Sequence, residues 1–433
     1  HAHTAPPQNQ PREPPPDLQG DLAYDLYGGY VTVDDATNRS LFFILSTPKG
    51  SAPADQPLVV WLQGGPGCSS MISFMLETGV VTPLEGGGVA PRDITWSSFS
   101  SMLYIDSPAG AGFSFSDAPG GFHTNDTQTA TDLYTFLQRW YSRYPEFQPA
   151  PLWLTGESYA GNYVPSLAAR IVGGEAKIEL TGIAIGNPVF YCPSHIAQYN
   201  MQQMQLFYWH GLLSLRTFNA FLAECSSDPS TATCDKLLAD ATNAIGPFDP
   251  DDLYTDLRSG NASLGIGPTP PDTIQELSDA YLNRADVQAA IHARPTNYTA
   301  CCAEPGQSGT PCGLVYTNAN ANMLPTYNYL FENAPGLKTM IYSGDTDVAT
   351  CPFSYAQLCL EGLNRTLTKE WAPWVINGQT AGFVETYDKY TFVTIKGAGH
   401  EVPMFQPLAA HALLHAAVTN QPLPTNAAPR PLF

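Results

Sequence analysis

Gly156-Glu157-Ser158-Tyr159-Ala160-Gly161 joins two segments of different period. Before it, Pro151-Leu152-Trp153-Leu154-Thr155 is a short apolar run of the kind a buried strand shows. After it, Val164, Leu167, Ala168 and Ile171 recur at helical spacing. A serine on a tight strand-to-helix turn holds its hydroxyl clear of the end of a sheet. Ala160 stands where the G-x-S-x-G pattern has its second glycine, and it is small enough for the crowded turn. Two later runs have the same setting. Ser343-Gly344-Asp345-Thr346-Asp347 follows a predicted strand, Lys338 to Tyr342, and Gly397-Ala398-Gly399-His400-Glu401 follows another, Tyr390 to Ile395.

Ser, Asp and His thus occur in that order, each at the carboxyl end of a predicted strand. The order differs from those of the chymotrypsin and subtilisin arrangements. It predicts an α/β-hydrolase fold with a central, mostly parallel sheet. Strand logic does not choose between Asp345 and Asp347 for the acid.

The chain has 433 residues, 43% hydrophobic and 11% aromatic, enough for one large domain with an insertion or for two domains. Only 13% are charged, and 39 acidic against 19 basic residues give −20 at neutral pH. Nucleic acid and anionic membrane are therefore poor partners, and an acidic working compartment suits the surface. No apolar run is long enough to span a bilayer. The first residue is His and no basic-then-apolar leader is present, so a signal segment is expected to have been removed already. Nine cysteines without a C-x-x-C zinc pattern read as an oxidised framework with at least one thiol left over, and no metal or cofactor is expected. Cys225 with Cys234 and Cys351 with Cys359 are plausible local pairs. Sequons at Asn38, Asn125, Asn261, Asn297 and Asn364, taken with the cysteines, argue for passage through the secretory pathway and N-linked glycans.

Residues 1–20 are expected to form an extended tail; six prolines lie between Ala5 and Pro16. His1-Ala2-His3 could chelate copper through the terminal amine, but a mobile terminus is the plainer reading. Residues 21–187 form the first part of the hydrolase core, with strands at Gly29–Val33, Leu41–Ser46, Leu58–Leu62, Met102–Ile105 and Ile178–Ile185. A long helix presents Leu133, Phe136, Leu137, Trp140, Tyr141 and Tyr144 on one face, with Asn125 or Asp126 as its cap and Pro145 as its stop. Residues 188–325 hold most of the cysteines, a helical stretch from Asp272 to His292 and a Gly/Pro-rich run, and read as a mainly helical cap inserted into the core. Residues 326–433 complete the core, with a hairpin turn at Asn377-Gly378 and a closing helix from Ala409 to Val418. His195, His210, His292, His411 and His415 have no partner pattern and read as structural or solvent-facing.

Four blocks together resemble the serine carboxypeptidases: Trp61-Leu62-Gln63-Gly64-Gly65-Pro66-Gly67-Cys68-Ser69-Ser70, Asp106-Ser107-Pro108-Ala109-Gly110-Ala111-Gly112-Phe113-Ser114, the serine turn, and Gly397 to Pro403. The resemblance implies that Asp347 is the acid of a Ser158–His400–Asp347 triad. Gly64-Gly65-Pro66-Gly67 follows a buried strand where this fold places an oxyanion hole. The donors would be the Tyr159 N–H, as the residue after the nucleophile, and, by resemblance, the Gly65 N–H. Trp61, Glu77 and Glu157 match the family's site for the substrate's terminal carboxylate. Gln63 stands where the family usually has Asn, which adds a methylene to the amide donor. The resemblance also suggests a bridge from Cys68 to Cys301 or Cys302, and it favours the cap.

The function expected from this reading is removal of single residues from peptide or protein C-termini at acidic pH, in a secreted or vacuolar/lysosomal setting. The alternatives are an acyltransferase on the same scaffold, in which a hydroxyl replaces water, and a catalytically idle binding protein.

Overall fold

The computed structural model describes residues 14–193, 195–255, 271–302, 312–317 and 322–424. The expected tail up to residue 13, the His1-Ala2-His3 motif, Asn261 and most of the Gly/Pro-rich run lie outside the described residues. In the first part of the chain the strands are β1 (Tyr24–Asp34), β2 (Arg39–Pro48), β3 (Leu58–Leu62), β4 (Val81–Pro83), β5 (Val89–Pro91), β6 (Ser101–Ile105), β7 (His123–Asn125), β8 (Leu152–Glu157) and β9 (Leu180–Gly186). Helices α1 (Asp126–Arg143) and α2 (Ala160–Val172) flank β8 in sequence. A bridging region follows, with α3 (His195–Trp209), α4 (Leu215–Cys225), α5 (Ala232–Ile245), α6 (Pro271–Leu282), α7 (Ala285–Ala290) and β10 (Val315–Thr317). The chain closes through α8 (Leu324–Asn333), β11 (Lys338–Gly344), α9 (Phe353–Glu361), β12 (Leu367–Ile376), β13 (Gln379–Tyr387), β14 (Thr391–Ile395), α10 (Val402–Phe405) and α11 (Pro407–Val418).

Ten strands form one mixed sheet in the order β1-β2-β6-β3-β8-β9-β11-β14-β13-β12. The six from β6 to β14 are parallel, and antiparallel pairs close both edges. Parallel strands need cover on both faces, so their sequences read as continuous apolar runs; β3 and β6 are buried at every position. Alternation sorts the side chains. Leu58, Val60 and Leu62 pack on one face with α1, α2, α8 and α9, while Val59 and Trp61 pack on the other with α6, α7 and α11. Helices α3 to α5 enclose a third apolar cluster of their own around Phe207, Phe221 and the Cys225–Cys234 bridge.

Local signals explain the boundaries. The Asn125 side chain accepts the Gln128 N–H at 2.9 Å and caps α1; Pro145 opens a separate short turn after the helix ends. Asn377 and Gly378, at φ 51° and 74°, make the tight turn between β12 and β13. The stretch from Asp272 to His292 is not one helix. It breaks at Arg284, whose ψ of 134° is extended. The Asn283 side chain donates to the carbonyls of Asp279 and Tyr298 and accepts the Tyr298 N–H, which turns the chain aside.

The cysteine pairing is Cys68–Cys301, Cys192–Cys359, Cys225–Cys234 and Cys302–Cys312. The expected Cys351–Cys359 pair is corrected: Cys359, on α9, faces Cys192, and Cys351 is a buried free thiol. Spacing along the chain could not show that residue 192 arrives beside α9 from 167 positions away. Of the sequon asparagines, Asn38, Asn297 and Asn364 are exposed, and Asn125 is half-buried at its cap.

Candidate active site

The loops that follow β3, β8, β11 and β14 leave the same end of the sheet and converge. Ser158, between β8 and α2, sits at φ +60°, in the left-handed region that a non-glycine residue adopts only when its surroundings hold it there. Its own N–H donates to the Gly186 carbonyl (3.1 Å), and its carbonyl accepts the N–H groups of Gly161 and Val189 (both 2.9 Å). Small residues make the turn possible. A Cβ on Gly156 would fall 2.2 Å from the Leu62 carbonyl oxygen. Gly64 lies directly against the turn, where a Cβ would meet both the Ser158 Cβ and the Tyr159 nitrogen at 2.6 Å. The loop carrying Gly65 is thereby brought alongside the Tyr159 amide.

His400 Nδ1 is 2.7 Å from Asp347 Oδ2, and both residues are buried. Asp347 Oδ1 accepts the N–H groups of Thr350 and Cys351 (both 2.9 Å), and Asn187 Nδ2 donates to its Oδ2 at 2.9 Å. Asn187 Oδ1 in turn accepts the Gly344 N–H at the end of β11. Geometry therefore separates the two aspartates: Asp345 instead accepts the Gly397 N–H at 2.6 Å. Burial lowers the proton affinity of His400, but Asp347, Asp251 and Glu401 raise it, and the net direction is upward from the ordinary imidazole value. The donor atoms of Asp347, Cys351 and His400 come within 4.8 Å of one another. His400 Nδ1 is already engaged by Asp347, and burial with nearby anions holds the Cys351 thiol protonated.

A second cluster lies against the first. Trp61 Nε1 donates to Gln63 Oε1 (2.8 Å), and Gln63 Nε2 donates to Glu157 Oε1 (2.6 Å). The longer amide thus bridges the strand β3 tryptophan and the residue before Ser158. Glu77 reaches the same place from a π-helical turn, Ser73–Glu77; such turns recur at functional sites. Neither Glu77 oxygen, and one of the two Glu157 oxygens, has a hydrogen-bond partner by strict geometry among the described residues. The two carboxyls nonetheless act on one another and on Gln63. Burial pushes Glu77 up to about 7, against the pull of Glu157, His400 and Arg92. Burial first, then Glu77 and Glu401, push Glu157 well above the ordinary range.

Further residues support this arrangement, among them Arg92 and Asn187, which the sequence did not single out, and Asp106, to which it gave no role. Asp106 is fully buried; its carboxylate accepts Ser69 Oγ (2.6 Å) and the N–H groups of Ser70 and Phe113 (both 2.9 Å), tying the glycine loop to the loop after β6. Burial raises its carboxyl to about 6. Arg92 is half-buried and donates to the carbonyls of Met75, within the Glu77 turn, and of Val81, just after it. A polar residue at the carboxyl end of a buried strand is the signal that Asn187 offered. Cys68–Cys301 fastens the glycine loop to the segment before residue 302, where Ser69 N–H also reaches the Ala300 carbonyl at 2.7 Å. Among the other histidines, His210 is half-buried beside Tyr254, His411 meets Ser98 Oγ, and His292 and His415 are exposed.

The family model of the serine carboxypeptidases matches residues 16–420. The chain belongs to the serine carboxypeptidase family. Serine carboxypeptidase-like 25 of Arabidopsis thaliana is similar to it, 32% identical over 94% of this chain and 90% of its own length. Serine carboxypeptidase 24 of the same plant is 31% identical over 94% and 91%. The crystal structure of Kex1Δp, a prohormone-processing carboxypeptidase from Saccharomyces cerevisiae, shares the fold with a TM-score of 0.73 at 19% identity, covering 92% of each chain. The fold of this serine carboxypeptidase family member is the α/β-hydrolase fold, with multiple disulfides, and no helix among the described residues is long and apolar enough to cross a membrane.

Proposed function

We propose that this chain is a serine-type carboxypeptidase that releases single C-terminal residues from peptides below neutral pH, through an acyl-enzyme on Ser158. His400 takes the Ser158 hydroxyl proton as the oxygen attacks the scissile carbonyl, and Asp347 holds its tautomer and stabilises the imidazolium. The N–H groups of Gly65 and Tyr159 receive the oxyanion. His400 then returns its proton to the leaving amine, and water repeats the sequence to free the enzyme.

The observation that carries the exopeptidase reading is the buried Trp61–Gln63–Glu157–Glu77 cluster beside the serine turn. An esterase needs no such group. Acidic side chains can bind an anion when they hold a proton to donate, because two carboxyls kept close and dry do not both ionise. The upward shifts of Glu77 and Glu157 support that state below about pH 7. As pH rises through that value the donor is lost and a third negative charge is refused. Within the 188–325 segment, helices α3 to α5, with an apolar cluster of their own, would supply the cap, while α6 and α7 pack on the sheet. The bridged cysteines and exposed sequons fit a glycosylated protein of the secretory pathway, secreted or vacuolar/lysosomal.

The test is a peptide and its C-terminally amidated twin, incubated with the protein and followed by mass spectrometry. The free peptide is expected to shorten one residue at a time while internal bonds survive and the amide lags. Mostly internal cuts would overturn the exopeptidase reading, and acyl transfer to an added alcohol in preference to water would make the chain a transferase.

A further inference from the structure

We propose that Asp251, which reaches the site from the chain between α5 and α6, is a positioning residue for His400: its backbone fixes where the imidazole stands, and its side chain, tied to Thr350 on the loop of Asp347, acts on that ring. The inference rests on His400 being the general base proposed above.

The segment from Asp249 to Thr255 is laid like a strap across the two loops that carry Asp347 and His400. The Asp251 carbonyl accepts the His400 N–H at 2.7 Å, and the Leu253 N–H donates to the Thr346 carbonyl at 3.1 Å. Side chains lock the same contact. Asp251 Oδ1 accepts Thr350 Oγ1 (2.5 Å); Asp252 accepts Thr346 Oγ1 on one oxygen (2.5 Å) and Thr255 Oγ1 on the other (2.6 Å). Asp249 Oδ1 accepts the Asp251 N–H at 2.9 Å and stiffens the bend. Gly399 makes the approach possible, since a Cβ there would fall 2.4 Å from the Asp251 carbonyl oxygen and 2.6 Å from the Asp252 Cβ. The glycine before the histidine is thus the seat of the strap.

The groups acting on His400 come from four places: Asp347 after β11, Glu401 on its own loop, Glu77 on the π turn and Asp251 on the strap. The Cys351 thiol lies beside Asp347 and is held protonated. Burial and Asp251 push Glu401 up to about 8, and burial pushes Glu77 up to about 7. Below neutrality both therefore carry protons, and Asp347 and Asp251 are the other acidic groups acting on the imidazole. Asp347 grips Nδ1 from one side. Asp251 adds to the field without taking a ring hydrogen bond, so it stabilises the imidazolium that forms when Ser158 attacks. A segment outside the triad's own loops would then help to set the acid limit of turnover.

The experiment uses the full chain and compares wild type with Asp251→Asn, Thr350→Val and Asp252→Asn. Profiles of kcat and KM against pH are measured on a blocked peptide and on an ester. Midpoints for the His400 ring are read by NMR on histidine-labelled protein, with a Ser158-directed fluorophosphonate as the check on the parent reading. For Asp251→Asn the acid limb of kcat and the ring midpoint are expected to move together, about one pH unit lower, with KM unchanged. The plateau should fall about 3-fold because the base is weaker, so the variant should be about 3-fold faster than wild type at the acid end. Thr350→Val, which keeps the charge but frees the carboxylate, should shift both in the same direction by less. Asp252→Asn should leave both in place. An acid limb and ring midpoint in Asp251→Asn that superimpose on wild type would overturn the proposal, as would a uniform loss of rate across all pH. If Asp251→Asn does not fold, Thr350→Val decides by the same two midpoints. A wild-type serine that ignores the fluorophosphonate would instead overturn the parent reading.

Discussion

Ser158, Glu77 and Glu157 carry the sharpest single-residue expectations. Members of a triad act as a unit, so Ser158→Ala is expected to lower kcat by roughly 10⁵- to 10⁶-fold with little change in peptide binding. Covalent labelling by a fluorophosphonate should vanish with it; normal turnover would remove Ser158 from the chemistry. The carboxyl pair predicts a different signature. Because Glu77 is pushed up to about 7, peptide KM should climb as pH passes from about 5 to above 7, while KM for an ester stays flat. Glu77→Gln or Glu157→Gln makes one donor permanent and should flatten the peptide curve. A steep climb persisting in both variants would show that the terminal carboxylate is held elsewhere.

Loops and strand ends show how far local pattern reaches. The parallel core was legible because a strand covered on both faces must be apolar along its length, and β3, β8, β11 and β14 are short runs of that kind ending in chemistry-bearing residues. The choice between Asp345 and Asp347 was not legible in the strand pattern, since both follow β11 and only the approach of His400 from β14 tells them apart. Asn187, Asp251 and the Cys192–Cys359 pairing were hidden for the same reason: their partners lie 100 to 170 positions away in sequence, roughly, and no periodicity encodes a meeting between loops. The break between α6 and α7 was missed because Asn283 acts on the backbone of Tyr298, beyond any helical window. Two substitutions test these junctions. Asn187→Ala leaves the Gly344 N–H and one bond to Asp347 unmade, and should cost about 1–3 kcal/mol of stability in a denaturant titration, together with a fall in kcat. Gly64→Ala puts a methyl 2.6 Å from the Tyr159 nitrogen; it should abolish turnover more completely than it lowers stability, and an active Gly64→Ala enzyme would mean that the two loops are not in register.

Across the whole molecule, protons and folding are linked in one direction at the site. Glu77 and Asp106 bind protons more tightly folded than unfolded, so their contribution is fully present below their ordinary values and is lost as pH rises toward about 7 and about 6. His400, raised above its ordinary value, loses its contribution in the same sense as pH rises through its folded midpoint. A net charge of −20 adds self-repulsion as carboxylates ionise. Thermal midpoints are therefore expected to be higher near pH 5 than near pH 8. Added salt should recover the surface part only, and Glu77→Gln should remove part of the remainder. A midpoint that rises with pH would contradict the buried carboxyl assignments. Eight of the nine cysteines are bridged, and the ninth, Cys351, is buried with its amide on the Asp347 carboxylate. That thiol is a stopwatch already installed in the protein. A maleimide added to the native chain can react only in the moments when the structure around residue 351 springs open, so at saturating reagent its rate counts those openings. Set beside the decay of fluorophosphonate reactivity in the same tube, the count would tell whether the acid's loop comes apart alone or takes the serine turn with it.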